Sequence, residues 1–368
     1  MSAPRVLFVG RGRLTLPLPA WLAKKWDALS EVLDLRVLNA GSGSGDPRFR
    51  FLPDAAPLFY SRLVPELVRE LRSYRPAAVV AADPYVGAAA LTARGLARTS
   101  EKVIIEVHGD PSTFTRLYGS DARKVLSRGA DAVSLSALRR ADATRALSAF
   151  TSSIVEGARG LPATACFPTY SDLSAFYDPP LTPVPEEARV VFVGALERYK
   201  NVDGLAAAWR RVVGALPEAR LTIVGRGSRQ EVIDGLLHEL PGHVEHHREL
   251  PPPSVARELD RARALVLPSW PEGLGRVVLE SFARGRTVVA TNAGGIPDIV
   301  TDGVDGILLP PGDLDALVDG LERILRDRGL AVGLGAAAHT AAAAWHQTPE
   351  EFANAYRELV ERVLAGAR

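Results

Sequence analysis

Short apolar runs recur along the chain, and each is followed by a turn and then by a segment with apolar residues at helical spacing. In the first half the runs are Val6 to Val9, Leu35 to Leu38, Ala77 to Ala82, Val103 to Val107, Arg145 to Leu147 and Thr164 to Phe167. The alternation breaks from Pro168 to Pro185, where Pro179, Pro180 and Pro183 also fall, and this stretch predicts a linker. It restarts with Arg189 to Val193, Leu221 to Val224, Val244 to His246, Ala264 to Leu267, Thr287 to Ala290 and Gly306 to Leu309. The runs read apolar on both faces, the signature of parallel strands covered by helices, with about six strands in each half. The expected fold is therefore α/β, two doubly wound parallel-sheet domains over residues 1–175 and 186–345.

Two segments qualify that picture. Residues 40–54, rich in Gly and Ser, predict a loop. Residues 346–368 predict a final helix that packs back toward the first domain. Thr348-Pro-Glu-Glu351 is a capping box with Pro at the first helical position, and Phe352, Tyr356, Leu359, Val360, Val363 and Leu364 form one apolar stripe.

A chain of 368 residues accommodates two domains, and 47% hydrophobic with 24% charged residues is an ordinary globular balance. The net charge of +1 speaks against a nucleic-acid binder working through a basic field. Cys166 is the sole cysteine, so neither an internal disulfide nor a thiolate metal centre can form. Without a signal peptide or an apolar run near the ~20 residues that span a bilayer, a soluble, cytoplasmic protein is expected. The helix carrying Trp21, Leu22, Lys24, Lys25 and Trp26 reads first as a core helix with a snorkelling lysine pair, and second as a weak peripheral membrane contact.

The stretch richest in chemistry is Pro268-Ser-Trp-Pro-Glu-Gly-Leu-Gly-Arg-Val-Val-Leu-Glu280. A buried strand, a turn with Gly273 and Gly275 and then a helix N-terminus make an anion-binding corner. Glu272 and Glu280 flank it, carboxylates suited to hydroxyl groups. The neighbouring strand ends bring Gly194 to Asn201, Gly225-Arg-Gly-Ser228 and Thr291 to Asp298 to the same sheet edge. There Lys200 and Arg198 offer cations, and Gly294-Gly295 is expected to leave space for a ligand. In the first half, Gly10-Arg-Gly12 ends one strand, and another delivers Glu106, His108 and Asp110 at its end. His243, His246 and His247 crowd one strand but read better as surface residues than as a metal cluster.

These motifs, in this order over residues 189–310, resemble a family-4 retaining glycosyltransferase of the GT-B fold, in which two Rossmann-like domains face a cleft. The resemblance implies transfer from a nucleoside-diphosphate sugar, UDP- or GDP-linked, to a glycan, glycolipid or small-molecule hydroxyl. It implies no metal and no cofactor beyond the donor; no Asp-x-Asp motif stands at a strand end beside the donor site. It assigns catalytic roles to His108, Lys200 and Glu272: His108 beside the transferred sugar, Glu272 on the sugar hydroxyls and Lys200 on the pyrophosphate. Donor contacts fall to Gly10, Gly12, Arg198, Lys200, Gly225, Leu250, Glu272, Gly273, Leu274, Gly275 and Glu280, the last on the ribose. Acceptor recognition falls to the first domain, notably residues 40–54 and 110–120. In one departure, Ala195 occupies the family's usual arginine position, leaving Arg198, Arg226 or Arg276 as substitutes. An epimerase or hydrolase on the same fold, and a weakly active nucleotide-sugar-binding protein, are the alternative readings.

Overall fold

A computed structural model describes residues 3–111 and 121–366. The chain divides into two compact units, one of residues 1–171 with 347–368 and one of residues 172–346.

Among the described residues, the first unit holds a seven-stranded parallel sheet. Its strands are β1 (Arg5–Thr15), β2 (Asp34–Ser42), β3 (Phe49–Leu52), β4 (Ala78–Ala81), β5 (Lys102–Val107), β6 (Ala143–Ala146) and β7 (Ala165–Cys166). They lie in the order β3-β2-β1-β4-β5-β6-β7. Helices α1 (Ala20–Val32), α2 (Ala56–Ser73), α3 (Pro84–Ala97), α4 (Asp121–Arg140) and α5 (Ala149–Arg159) connect them. β4 is buried along its whole length, as its all-apolar sequence requires.

Two sequence expectations change here. β1 does not stop at Val9: it runs on to Thr15 through an irregularity between Gly10 and Leu14, and Leu14 and Thr15 pair with Gly41 and Ser42. The Asn39 side-chain amide donates to the carbonyls of Gly12 and Ala40 and bridges the gap. A Cβ on Gly10 would stand 2.5 Å from Asn39 Oδ1, so that glycine makes room for asparagine. Residues 40–54 are likewise not simply a loop. Gly41, at φ +150°, lets the Leu14 carbonyl approach, and Phe49 and Leu52 point into the core from β3, the strand that the apolar pattern missed.

The second unit has a six-stranded parallel sheet among the described residues, ordered β10-β9-β8-β11-β12-β13. The strands are β8 (Arg189–Val193), β9 (Arg220–Val224), β10 (Val244–His247), β11 (Ala264–Leu267), β12 (Thr287–Thr291) and β13 (Gly306–Leu309). A short helix α6 (Ser174–Tyr177) precedes them. The connecting helices are α7 (Val202–Ala215), α8 (Gln230–Glu239), α9 (Pro252–Asp260), α10 (Arg276–Ala283), α11 (Leu314–Arg326) and α12 (Arg328–Ala342). The strand order reverses between β8 and β11, and ligand crevices in open parallel sheets form at such a reversal.

The expected linker is largely fastened down. Arg284 and Arg286 are almost fully buried. Arg284 donates to the carbonyls of Phe176, Pro179 and Pro180, and Arg286 to those of Thr182 and Pro183. Arg328 takes the Val184 carbonyl at 2.7 Å. Proline offers a carbonyl and no N–H, so a proline-rich segment leaves unpaired acceptors that guanidinium groups satisfy.

The last helix, α13 (Pro349–Leu364), carries the complete capping box of Thr348 and Glu351. Phe352, Tyr356, Leu359, Val360 and Val363 are buried on the first unit's sheet with Trp26 and Leu29 of α1, whereas Leu364 remains exposed. Each such side chain contributes roughly 1.5–3 kcal/mol of burial. Helix α1 turns Trp26 inward, with Lys25 Nζ 4.8 Å from its ring centroid, and leaves Trp21 exposed. No helix among the described residues is long and apolar enough to cross a membrane.

Candidate active site

In the second unit the loops beyond the strand ends are stitched into one rim by backbone. Gly194 N–H donates to Val224 O, Leu196 N–H to Arg226 O and Gly225 N–H to His247 O, at 2.8–3.0 Å. Trp270 N–H donates to Tyr199 O and Gly295 N–H to Glu272 O. Glycine makes this weave possible. A Cβ on Gly225 (φ +152°) would lie 1.9 Å from Gly194 O, and one on Gly294 (φ +65°) 2.2 Å from Glu272 O. Gly294-Gly295 therefore makes room for the backbone of residues 272–274, a role that the sequence pattern did not show.

The rim borders an open cavity of about 400 Å³ which, among the described residues, is lined from the second unit. Gly225, Leu250 and Glu280 are in its wall, as are Gly194, Ala195, Arg226, Arg248 and Arg276. Lys200 stands beside it: its Cε lies 3.4 Å from where a Gly194 Cβ would be. Its ammonium donates to Glu272 Oε1 at 2.8 Å, and both side chains are about nine-tenths buried. Glu280 is almost fully buried and accepts from Arg276 Nε at 2.9 Å, one helical turn away. Burial raises the Glu280 pKa, against the opposing charges of Arg276 and Lys200. Two cation–carboxylate pairs thus flank the start of α10, whose first amides have no intrahelical acceptor.

The other expected residues fall as follows. Gly275, at φ +85°, caps the N-terminus of α10, and Gly273 and Leu274 form the loop before it. The Leu274 side chain is partly buried and packs against the core. Arg198 is exposed on a 3-10 turn and is not in the cavity wall; of the three candidate substitutes for an arginine at position 195, Arg226 and Arg276 are. His246 Nε2 bonds Gly225 O at 2.9 Å. His247 lies with Glu245 and Glu258, whose carboxylates are already ion-paired to Arg189 and Arg261.

In the first unit, His108 follows β5 with its side chain 38% exposed and its Nε2 3.0 Å from Glu106 Oε2. Glu106 is buried. Its other oxygen accepts from Arg145 Nη1 and from the Tyr356 hydroxyl. Burial alone would raise the Glu106 pKa, but Arg145, His108 and Lys25 together hold it at about 2. Arg145 also donates to the Phe167 carbonyl and stands 4.3 Å from the Phe167 ring centroid. Sequence reasoning missed Arg145 and Tyr356. One signal was available: an arginine inside Ala143–Ala146, a strand buried along its length, requires a buried partner. Of the expected acceptor region, residues 112–120 lie outside the described residues.

Residues 187–327 match the family model described as glycosyl transferases group 1. Over 195 residues the chain is 33% identical to a D-inositol 3-phosphate glycosyltransferase of Mycobacterium ulcerans, covering 50% of this chain and 41% of that protein. The chain therefore spans less than half the length of this curated relative. Among solved structures, sucrose-phosphate synthase of Thermosynechococcus elongatus superposes with a TM-score of 0.79 at 21% identity, over 99% of this chain and 100% of the other. HepE of Anabaena, solved with UDP-glucose, gives 0.70 at 16% identity, over 97% and 100%. The fold is GT-B.

Proposed function

We propose, for a chain whose residues 187–327 match the glycosyl transferases group 1 model and whose fold is GT-B, that it moves a sugar from a UDP- or GDP-linked donor to a hydroxyl acceptor with retention at the anomeric carbon. The acceptor is a glycan, a glycolipid or a small molecule. The observation that carries this reading is the 400 Å³ cavity at the strand-order reversal, with the Lys200–Glu272 and Arg276–Glu280 pairs at the start of α10.

Cleaving the sugar–phosphate bond places negative charge on the departing diphosphate. Lys200 and the amides opening α10 supply opposing charge, fixed beforehand by the stitched loops. Arg276, at the first position of that helix and in the cavity wall, is the substitute for an arginine at 195 that best suits the diphosphate. Arg226 and Arg248 follow β9 and β10 at the sheet edge and suit the nucleoside end. Glu280 then holds ribose hydroxyls, Glu272 the sugar hydroxyls, and His108 of the first unit contacts the transferred sugar. The acceptor hydroxyl attacks the anomeric carbon on the face the diphosphate leaves, and its proton passes to the departing phosphate oxygen. The same reading needs no metal and no further cofactor, and it places the enzyme in the cytoplasm, with at most a weak membrane contact through Trp21.

Titration calorimetry with UDP, GDP and ADP, alongside diphosphate release from the corresponding sugars, tests the proposal. At least one diphosphate binds, and release accelerates when a hydroxyl acceptor is added. Release that ignores every acceptor points to a hydrolase, and binding without release to a donor-binding protein. Glu280→Ala weakens diphosphate binding, Glu272→Ala chiefly lowers turnover, and turnover survives a chelator.

A further inference from the structure

His108 is attached to more of the first unit than its own strand. The Glu106 carboxylate beside it is held below the usual range and is therefore an anion, which can only accept. Nε2 of His108, 3.0 Å away, must then be the donor in that contact, and Nδ1 is the ring nitrogen that Glu106 does not engage. Glu106 in turn is held by partners from two other elements, Arg145 on β6 and Tyr356 on α13, residues 39 and 250 positions along the chain. Arg145 Nη1 also donates to the Tyr356 hydroxyl at 2.9 Å, closing a three-membered ring of polar contacts. Lys25 of α1 faces the same carboxylate, and Asp83, which caps α3, faces His108 from the end of β4. Every one of these groups except His108 is largely enclosed by protein, and the histidine alone is presented outward.

We infer that the C-terminal helix is a positioning element for His108: Tyr356 and Arg145 fix the Glu106 carboxylate, which accepts the hydrogen bond from Nε2–H and turns Nδ1 outward as an acceptor for a sugar hydroxyl. The role in transfer rests on the donor-sugar reading above, whereas the state of the ring can be read without any substrate. Glu106 and Tyr356 are positioning residues, since neither reaches solvent, and the group that would touch substrate is His108.

The test is a two-bond proton–nitrogen correlation on the full chain with labelled histidine, His108→Gln identifying the signals that disappear. The expected parent pattern for His108 is a single Nε2-protonated tautomer. In Glu106→Gln this pattern is lost or mixed, because the amide can donate as well as accept. Tyr356→Phe retains the ring that packs on Phe8, Phe167 and Phe352 and so keeps the helix docked. It too loses the single-tautomer pattern. Its diphosphate affinity stays at the parent value, because that cavity is built from the second unit, while turnover falls roughly tenfold or more. An unchanged tautomer in Glu106→Gln overturns the inference. An unchanged tautomer in Tyr356→Phe alone overturns the part assigned to the helix. If no donor sugar is turned over at all, the reading of the reaction fails, and the ring measurement still decides this one.

Discussion

The two candidate sites are built in opposite ways. The second unit's cavity is made of short consecutive stretches, each a strand end running into a helix, and is held by backbone hydrogen bonds and glycines. The first unit's His108 is held by side chains from elements far apart in the chain, meeting around one buried carboxylate. A rim of backbone tolerates changes to its exposed side chains but not an added Cβ. A buried ionic ring behaves the other way, because removing one partner strands the others in a medium that cannot solvate them.

The largest expected effect breaks the ionic ring. Glu106→Ala leaves Arg145 buried without its carboxylate, at a cost of about 3–5 kcal/mol read as weakened hydrogen-exchange protection in β4, β5 and β6. The same group sets an acid limb. Its folded pKa, about 2, lies below the ordinary value of 4.5, so its contribution is present above 4.5 and disappears as the pH falls toward 2. A melting curve followed over that window should slope in the parent chain and flatten in Glu106→Gln.

Next comes the backbone rim. Gly225→Ala puts a Cβ against the Gly194 carbonyl in a left-handed conformation, costing roughly 1–3 kcal/mol and abolishing detectable diphosphate binding by calorimetry. Lys200→Ala has a smaller effect on the fold but leaves Glu272 buried without its partner. Diphosphate affinity falls by about 1.5–3 kcal/mol, the range for a hydrogen bond to a charged group. Arg276→Ala is the mildest for stability, about 0–1 kcal/mol for a half-exposed ion pair, yet it weakens diphosphate binding where Arg198→Ala does not. Equal responses of the two arginines would erase the distinction between wall and surface.

The same contrast explains what could be read from sequence. Glu272, Gly273, Gly275 and Glu280 announce themselves because one short stretch, Leu267 to Glu280, carries strand end, turn and helix start together. Their hydrogen bonds are local or follow from parallel pairing, and the motif order places the loops side by side. The partners of Glu106 cannot be found that way, since nothing in the neighbourhood of Tyr356 marks it apart from the apolar stripe it belongs to. β3 was hidden for a different reason: four residues with two inward-facing aromatic or aliphatic side chains are too short to show a period. The second role of Gly294-Gly295 was invisible as well, because a glycine pair that admits a ligand and one that admits another loop have identical sequences.

The fastening of residues 176–184 by Arg284, Arg286 and Arg328 has a consequence for how the chain should be cut. A protease must draw an extended segment into its own cleft, and here the carbonyls it would engage are already engaged from beneath. The stretch richest in proline, which looks from sequence like the natural place to nick the molecule, should be among the slower ones to yield. Digestion that spares it would leave the second unit's strap whole, and a fragment intended to stand alone would need to begin near Asp172.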